Sequence, residues 1–577
     1  MKAARAAVAL ALLAGCSTLP PPSEAPPPEA ASGFDAKPGW RAARSMVAAA
    51  HPLAADAGLA MLRAGGSAVD AAVAVQMVLA LVEPQSSGLG GGAFMLSWDG
   101  RALVAWDGRE TAPASADERL FLDAQGRPPT PAEAIYGGRA VGVPGALRML
   151  EAAHRESGQL PWPRLFEPAI ALAEGGFPMG PRLRSLLLAE PRLKADPRAR
   201  AYFFDGAGVP WPVGHRLQNP ALAALLRQIA RDGSVALHQG AAATEIVYRV
   251  RSHALPGRLS EADLAAYRPL RREALCATWR VRYRVCGMPP PSSGQLALMQ
   301  TLGITEQLAM PAVAADGVPG ADWLHLYTEA SRLAFADRAA YVADPDFVPA
   351  PAGGWASLLN PAYLRRRAAL VGTTAMPAPP AGQPEHGTSH VSIVDAQGRA
   401  VALTTSVEYA FGARLMADGG SGLPGGYLLN NQLSDFAWVP QDSEGRPQAN
   451  RVQPGKRPRS SMSPTLVFDA TSGRLLMSAG SAGGPHIIHY TTRALLATLA
   501  WGLAPQAALD APNFGSIGGP LVLEAGRFPP ATADALRARG HRVVEAALTS
   551  GTQLVMQTAD GLQAAADPRR EGAARGD

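Results

Sequence analysis

Glu385-His386-Gly387-Thr388-Ser389-His390-Val391-Ser392-Ile393-Val394-Asp395 marks the point where the pattern of this 577-residue chain changes from helix to strand. Upstream, residues 115–345 read mostly as helix punctuated by Pro and Gly, ending in an amphipathic helix over 322–343. Downstream, residues 391–394 and 400–407 alternate around a turn at Gln397-Gly398, and 465–468 pair with 475–479 across Thr471-Ser472-Gly473. A β core therefore begins at Thr388. A threonine opening an alternating apolar run is also how an ordinary strand starts, so its surroundings must decide its role. A cut at Gly387-Thr388 would put a free amine on the residue that carries the hydroxyl. An α-amine titrates near 7.7 to 8.0, which suits a base for a hydroxyl nucleophile. Residues 345–384 before it turn Pro- and Ala-rich, notably at Met376-Pro377-Ala378-Pro379-Pro380, as suits two new ends that must separate.

Composition is that of a folded protein, with 47% hydrophobic and 18% charged residues. Only the N-terminus is unusual. Lys2 and Arg5 precede an apolar run from Ala6 to Ala14, closed by Leu13-Ala14-Gly15-Cys16. The run is too short to span a bilayer and reads as a lipoprotein signal over 1–15, with Cys16 as the lipidated residue. Pro20-Pro21-Pro22 and Pro26-Pro27-Pro28 make 16–34 a Pro-rich tether, so the expected membrane contact is a lipid anchor. Ser17, by resemblance to such lipoproteins, favours the periplasmic side of the outer membrane. The formal charge of +5 falls by two once Lys2 and Arg5 leave with the signal. With no basic run interleaved with aromatics, the chain offers nothing for nucleic acid. Cys276 and Cys286 lie ten positions apart in a segment that alternates like a hairpin. They are either a disulfide, given an oxidising compartment, or two buried thiols, and without nearby His they make no metal site.

Residues 52–64 read as a helix stopped by Gly65-Gly66, and Ser67 with Asp70 caps a second helix running to about Val82. Ser86-Ser87-Gly88-Leu89-Gly90-Gly91-Gly92 lacks the Lys-Ser/Thr ending of a phosphate loop, so close turn packing is the expected role.

Gly88-Leu89-Gly90-Gly91-Gly92, with Gly108-Arg109-Glu110-Thr111-Ala112-Pro113, Met288-Pro289-Pro290-Pro291-Ser292-Ser293-Gly294, Leu428-Leu429-Asn430-Asn431-Gln432 and Lys456-Arg457-Pro458-Arg459-Ser460-Ser461-Met462-Ser463-Pro464, resembles the motifs of the γ-glutamyltranspeptidases of the N-terminal-nucleophile hydrolase superfamily. The likeness runs over nearly the whole chain after the tether. It implies an α+β fold, a four-layer αββα sandwich cut into a large subunit over 35–387 and a small one over 388–577 that stay associated around one core. It implies hydrolysis of glutathione or other γ-glutamyl compounds, with transfer to water or to an amino acid or peptide, and neither a metal nor an organic cofactor. Thr388 would be the nucleophile, with the Ser406 hydroxyl beside it. Gly483 and Gly484, in Gly480-Ser481-Ala482-Gly483-Gly484 ahead of a helix starting near Pro485, would present N–H groups to an oxyanion. Arg109, Ser460 and Ser461 would hold a substrate α-carboxylate, and Gln432 and Asp435 its α-ammonium.

Glu408 departs from the family, which commonly has Asn there. A carboxylate at that point favours an ammonium group and repels a glutaryl carboxylate, so Glu408 is expected to assist Asp435. The Gly-rich loop 413–427 is longer than expected of well-known members, and 436–455 has no Tyr to act as an aromatic gate. Two other readings stay open: a cephalosporin or glutaryl acylase of the same fold, and a surface lipoprotein that binds without catalysis.

Overall fold

The computed structural model describes residues 33–377 and 388–577. The signal, Cys16, most of the tether and Gly387 lie outside the described residues.

Ser389–Val394 and Ala400–Ser406 form an antiparallel pair in which Ser389 faces Thr405 and Val394 faces Ala400. They are the middle of a sheet ordered Ala573–Gly576, Met46–Ala49, Ser389–Val394, Ala400–Ser406, Gly92–Trp98, Leu103–Gly108, Leu270–Arg272. A second sheet runs Trp40–Ala42, Gly561–Ala566, Gln553–Thr558, Leu475–Gly480, Thr465–Asp469, Tyr283–Gly287, Leu275–Trp279. Each sheet mixes strands from before and after Thr388. The two stretches of chain therefore share one core.

Period-two alternation explains the layers. Ala400 and Ala402 point with Phe94, Leu96, Met46 and Ala48 toward Leu466, Phe468 and Val555 of the second sheet. Val401, Leu403, Val391 and Ile393 point the other way, into helices Pro52–Arg63, Ala68–Val82 and Ala146–Ser157. On the far side, Val467, Met477 and Leu554 pack against Gly294–Thr305, Ala321–Tyr341 and Ile487–Leu495. Helix, sheet, sheet, helix is the αββα sandwich. Because both faces of the central strands are covered, every residue of Ser389–Val394 and Ala400–Ser406 is buried.

Local chemistry sets several boundaries. Ser67 accepts from Asp70 N while the Asp70 carboxylate accepts from Ser67 N, a capping box that opens Ala68–Val82. Gly91 is required by close approach, since a Cβ there would sit 2.2 Å from the Ser406 carbonyl oxygen. The 275–287 segment is a hairpin in which Cys276 faces Cys286, and the two are bridged. The helix expected to be amphipathic over 322–343 spans Ala321–Tyr341 but is buried around most of its circumference. Helices Gly294–Thr305, Pro361–Ala368 and Pro530–Ala538 all pack on it, so polar residues such as Thr328 and Ser331 turn inward and bond to nearby carbonyls. Among the described residues no helix is long and apolar enough to cross a membrane.

Candidate active site

The ladder that pairs Ser389 with Thr405, carried one step further, puts Thr388 opposite Ser406. Both line one narrow cleft at the end of the sandwich, with Arg109, Glu408, Gln432, Asp435, Ser460, Met462, Gly484 and Ile487. Thr388 is 3% exposed, and Arg570 reaches its carbonyl oxygen at 3.2 Å through one guanidinium nitrogen while another holds the Thr549 carbonyl at 2.9 Å. Ser406 Oγ accepts from Glu408 N at 2.8 Å, which fixes the hydroxyl and the turn together.

Glu408 sits at φ 82, a left-handed conformation uncommon for a side chain that could avoid it. That turn is how a residue just beyond the strand aims its carboxylate into the cleft. Asn431 braces it by accepting from Tyr409 N at 3.0 Å and donating from its own N–H to Val407 O at 3.1 Å.

Asn430 spends its whole amide on the scaffold. It accepts from Gly142 N and Gln432 N, both at 3.0 Å, and donates to Gly90 O at 2.7 Å and Gly142 O at 2.9 Å. The Gly-rich turn, the 142 loop and the 3-10 turn Gln432–Asp435 are thereby tied into one block. Gln432 Nε2 donates to Asp435 Oδ2 at 2.7 Å, and Asn450 donates to the Asp435 carbonyl at 2.7 Å.

Arg109 is almost fully buried. Its guanidinium donates to Asp435 Oδ2 at 2.5 Å, to Arg459 O at 2.7 Å and to Pro458 O at 3.1 Å, so a cation is held by one carboxylate and two carbonyls. The carboxylate-binding and ammonium-binding residues expected from the sequence are thus paired with each other. An amino-acid head carries both charges and can exchange this one ion pair for two. Beside them, Glu110 lies 4.0 Å from Arg109, and neither of its carboxyl oxygens has a hydrogen-bond partner among the described residues. Burial outweighs the pull of Arg109 and raises the Glu110 carboxyl to about 8, so it keeps its proton at neutral pH. The 4.0 Å contact is too long to reverse that, because Arg109 is already committed to Asp435 and the carbonyls.

Ser460 Oγ accepts from Met462 N at 3.1 Å at the cleft wall. The Ser461 side chain is engaged elsewhere. Its Oγ accepts from Arg338 at 2.8 Å, and Arg338 also donates to Ser293 Oγ at 2.8 Å, so Ser461 braces the wall from behind. Gly483 at φ 122 and Gly484 at φ 59 make the bend between Leu475–Gly480 and the turn leading into helix Ile487–Leu495. A Cβ on Gly483 would meet the Tyr490 ring at 2.5 Å. Their N–H groups precede the first helical turn, where backbone donors lack intrahelical acceptors.

Sequence reasoning missed Arg570, Arg338, Asn430, Asn431 and Glu110 as parts of this site. Asn430, Asn431 and Glu110 lie inside motifs that were singled out, but Arg570 and Arg338 act from 182 and 123 positions away and carry no local signal. The 413–427 loop is well anchored: Met416–Ala417 pairs with Tyr427–Leu428, Glu245 accepts from Asp418 N and Gly420 N, and Asn219 clasps Gly426 through both its amide oxygen and nitrogen.

An αββα sandwich with a threonine at the inner end of a central strand, facing a serine and a glycine bend, has the architecture of the N-terminal-nucleophile hydrolases. Within that class the chain belongs to the gamma-glutamyltranspeptidase family, whose profile matches residues 54–576. It is similar to the glutathione hydrolase proenzyme of Escherichia coli (strain K12), 36% identical over 92% of this chain and 91% of that one. It is also similar to the acylase ACY 1 proenzyme of Pseudomonas sp. (strain V22), 35% identical over 88% of each chain. Among solved structures, cephalosporin acylase from Bacillus halodurans superposes with a TM-score of 0.81 at 29% identity, covering 94% of this chain and 97% of that one.

Proposed function

We propose that this chain is a self-cleaving γ-glutamyltransferase or glutathione hydrolase with Thr388 as its N-terminal nucleophile. The observation that carries the reading is the placing of Thr388 opposite Ser406 in a cleft that also holds the buried Arg109–Asp435 pair. Arg109 takes the substrate α-carboxylate, and Asp435 with Glu408 takes the α-ammonium. Thr388 Oγ attacks the γ-carbonyl carbon, and its proton passes to the Thr388 α-amine. The oxyanion meets the N–H groups of Gly483 and Gly484. Collapse breaks the C–N bond, the α-amine returns the proton to the leaving amine, and a γ-glutamyl ester remains on Thr388. Water, or the amine of an amino acid or peptide, then attacks that ester and frees the threonine. The α-amine itself comes from cleavage at Gly387–Thr388, for which the same hydroxyl is the proposed nucleophile.

Thr388→Ala is expected to leave a single chain and to reduce hydrolysis of a γ-glutamyl anilide to background; a variant that still splits in two overturns the assignment. The acylase reading has its own support in the similarity to the two acylases. Against it stand two carboxylates, Glu408 and Asp435, at the end of the cleft where an acyl group without an amine has nothing to offer them. We also propose that Cys16 carries the lipid that anchors the enzyme on the periplasmic side of the outer membrane. Incorporation of labelled palmitate checks this, and its persistence in Cys16→Ser would refute it.

A further inference from the structure

Away from the cleft, three buried side chains of complementary chemistry meet. His325 and Glu329 stand one turn apart on helix Ala321–Tyr341, and His541 follows helix Pro530–Ala538. One donor atom from each lies within 4.8 Å of the others, and among the described residues no other group of three His, Cys, Asp or Glu side chains meets that spacing. None of the three lines the Thr388 cleft.

Their hydrogen bonds leave a donor set pointing inward. His325 Nε2 lies 2.8 Å from the Gly372 carbonyl, an acceptor, so that nitrogen carries the proton and Nδ1 presents its lone pair. This is the outer-shell bond that commonly orients a metal-ligating imidazole. His325 Nδ1 lies 2.8 Å from His541 Nε2, and His541 Nδ1 has no hydrogen-bond partner among the described residues. At that distance a proton on His541 Nε2 is donated to His325 Nδ1; a cation entering between them would displace that proton, and with His541 Nδ1 protonated instead both facing nitrogens would offer the ion lone pairs. Glu329 accepts from Arg332 at 3.2 Å and from Met376 N at 2.8 Å, one bond on each oxygen, which leaves lone pairs on both. Arg332 opposes a metal by its charge, but it is also tied to the carbonyls of Met376 at 2.9 Å and Gly519 at 3.1 Å.

We propose that His325 Nδ1, His541 Nε2 and a Glu329 carboxylate oxygen form a binding site for a divalent cation of the zinc class, outside the reaction. Two imidazoles and one carboxylate suit zinc or its neighbours in the first transition row, whereas Mg²⁺ and Ca²⁺ call for oxygen donors. The placement gives such an ion a structural task. His325 and Glu329 precede Thr388, and His541 follows it. Gly372 and Met376, which bond to the ligands, belong to the last described stretch before Thr388. An ion here would clamp the two polypeptides together beside the last described stretch of the large one; this role rests on the proposed cut, whereas binding itself does not.

The test uses full-length protein stripped of metal and titrated with Co²⁺, followed by visible absorption and then displacement by Zn²⁺. One Co²⁺ per chain is expected, with a rise in melting temperature on adding Zn²⁺. Glu329→Gln and His541→Ala should each lose binding while keeping their far-UV circular dichroism and γ-glutamyl anilide hydrolysis. A wild-type protein that takes up no Co²⁺ at millimolar concentration, or variants that bind as wild type does, overturns the site. Should either variant fail to fold, X-ray absorption of Zn²⁺-loaded wild type decides, since two imidazole scatterers support the site and fewer overturn it. The uncut Thr388→Ala chain should bind Co²⁺ like wild type. Binding by a wild-type chain that never splits would uphold the site and refute the cut.

Discussion

Thr388 and Ser406 reach the cleft on neighbouring strands of one continuous antiparallel ladder, whereas Arg109, Glu408, Gln432, Asp435 and Ser460 come from loops and a 3-10 turn. In the first region, backbone register sets one residue opposite the other, with Glu408 N and Arg570 holding them from either side. In the second, position depends on side-chain clasps such as Asn430 and on the strained turn at Glu408. A rigid ladder suits a nucleophile whose geometry has little tolerance. Recognition built from loops can be retuned by single residues while the chemistry stays put, which fits a chain about equally similar to a glutathione hydrolase proenzyme and to an acylase proenzyme.

If the two regions are separable, damage to recognition must spare self-cleavage. Arg109→Met leaves Asp435 buried without its cation, and kcat/KM on a γ-glutamyl anilide should fall about a hundred- to a thousandfold. The protein should still run as two fragments on a denaturing gel. An uncut Arg109→Met protein would show that the two regions are one unit. A smaller change is expected of Glu408→Gln, which removes one of two carboxylates near the ammonium. The preference for γ-glutamyl over glutaryl substrates should drop about tenfold, roughly one pKa unit's worth of charge interaction. An unchanged ratio would remove Glu408 from recognition. The least disruptive variant is Glu110→Gln. The unfolded chain loses the Glu110 proton near 4.5, while the folded protein keeps it to about 8. Because the folded state holds the extra proton, this group's contribution to stability falls as pH rises from about 5 to 8. Glu110→Gln should flatten the decline in melting temperature over that range; a curve parallel to wild type would mean that Glu110 is ionised in the fold.

The same contrast explains what could be read from the sequence. Capping at Ser67 and Asp70, the hairpin at 275–287 and the strand pair after Thr388 are written in neighbouring residues, and the structure has them within a residue or two. The helix over Ala321–Tyr341 was misjudged because local periodicity does not reveal how many neighbours will cover it. Arg109, Ser406, Glu408, Gln432, Asp435 and Ser460, which the motifs single out, line one cleft. The motifs did not reveal that Ser461 would be taken up by Arg338, or that Arg570 would hold the Thr388 carbonyl. Those contacts depend on packing between distant segments.

N-terminal sequencing of the fragments from freshly purified protein tests the central claim most directly. The smaller fragment should begin Thr-Ser-His-Val-Ser, with Thr388 as its first residue. An active enzyme that remains one chain near the 59.9 kDa of the full sequence, or whose small fragment starts anywhere else, would contradict it.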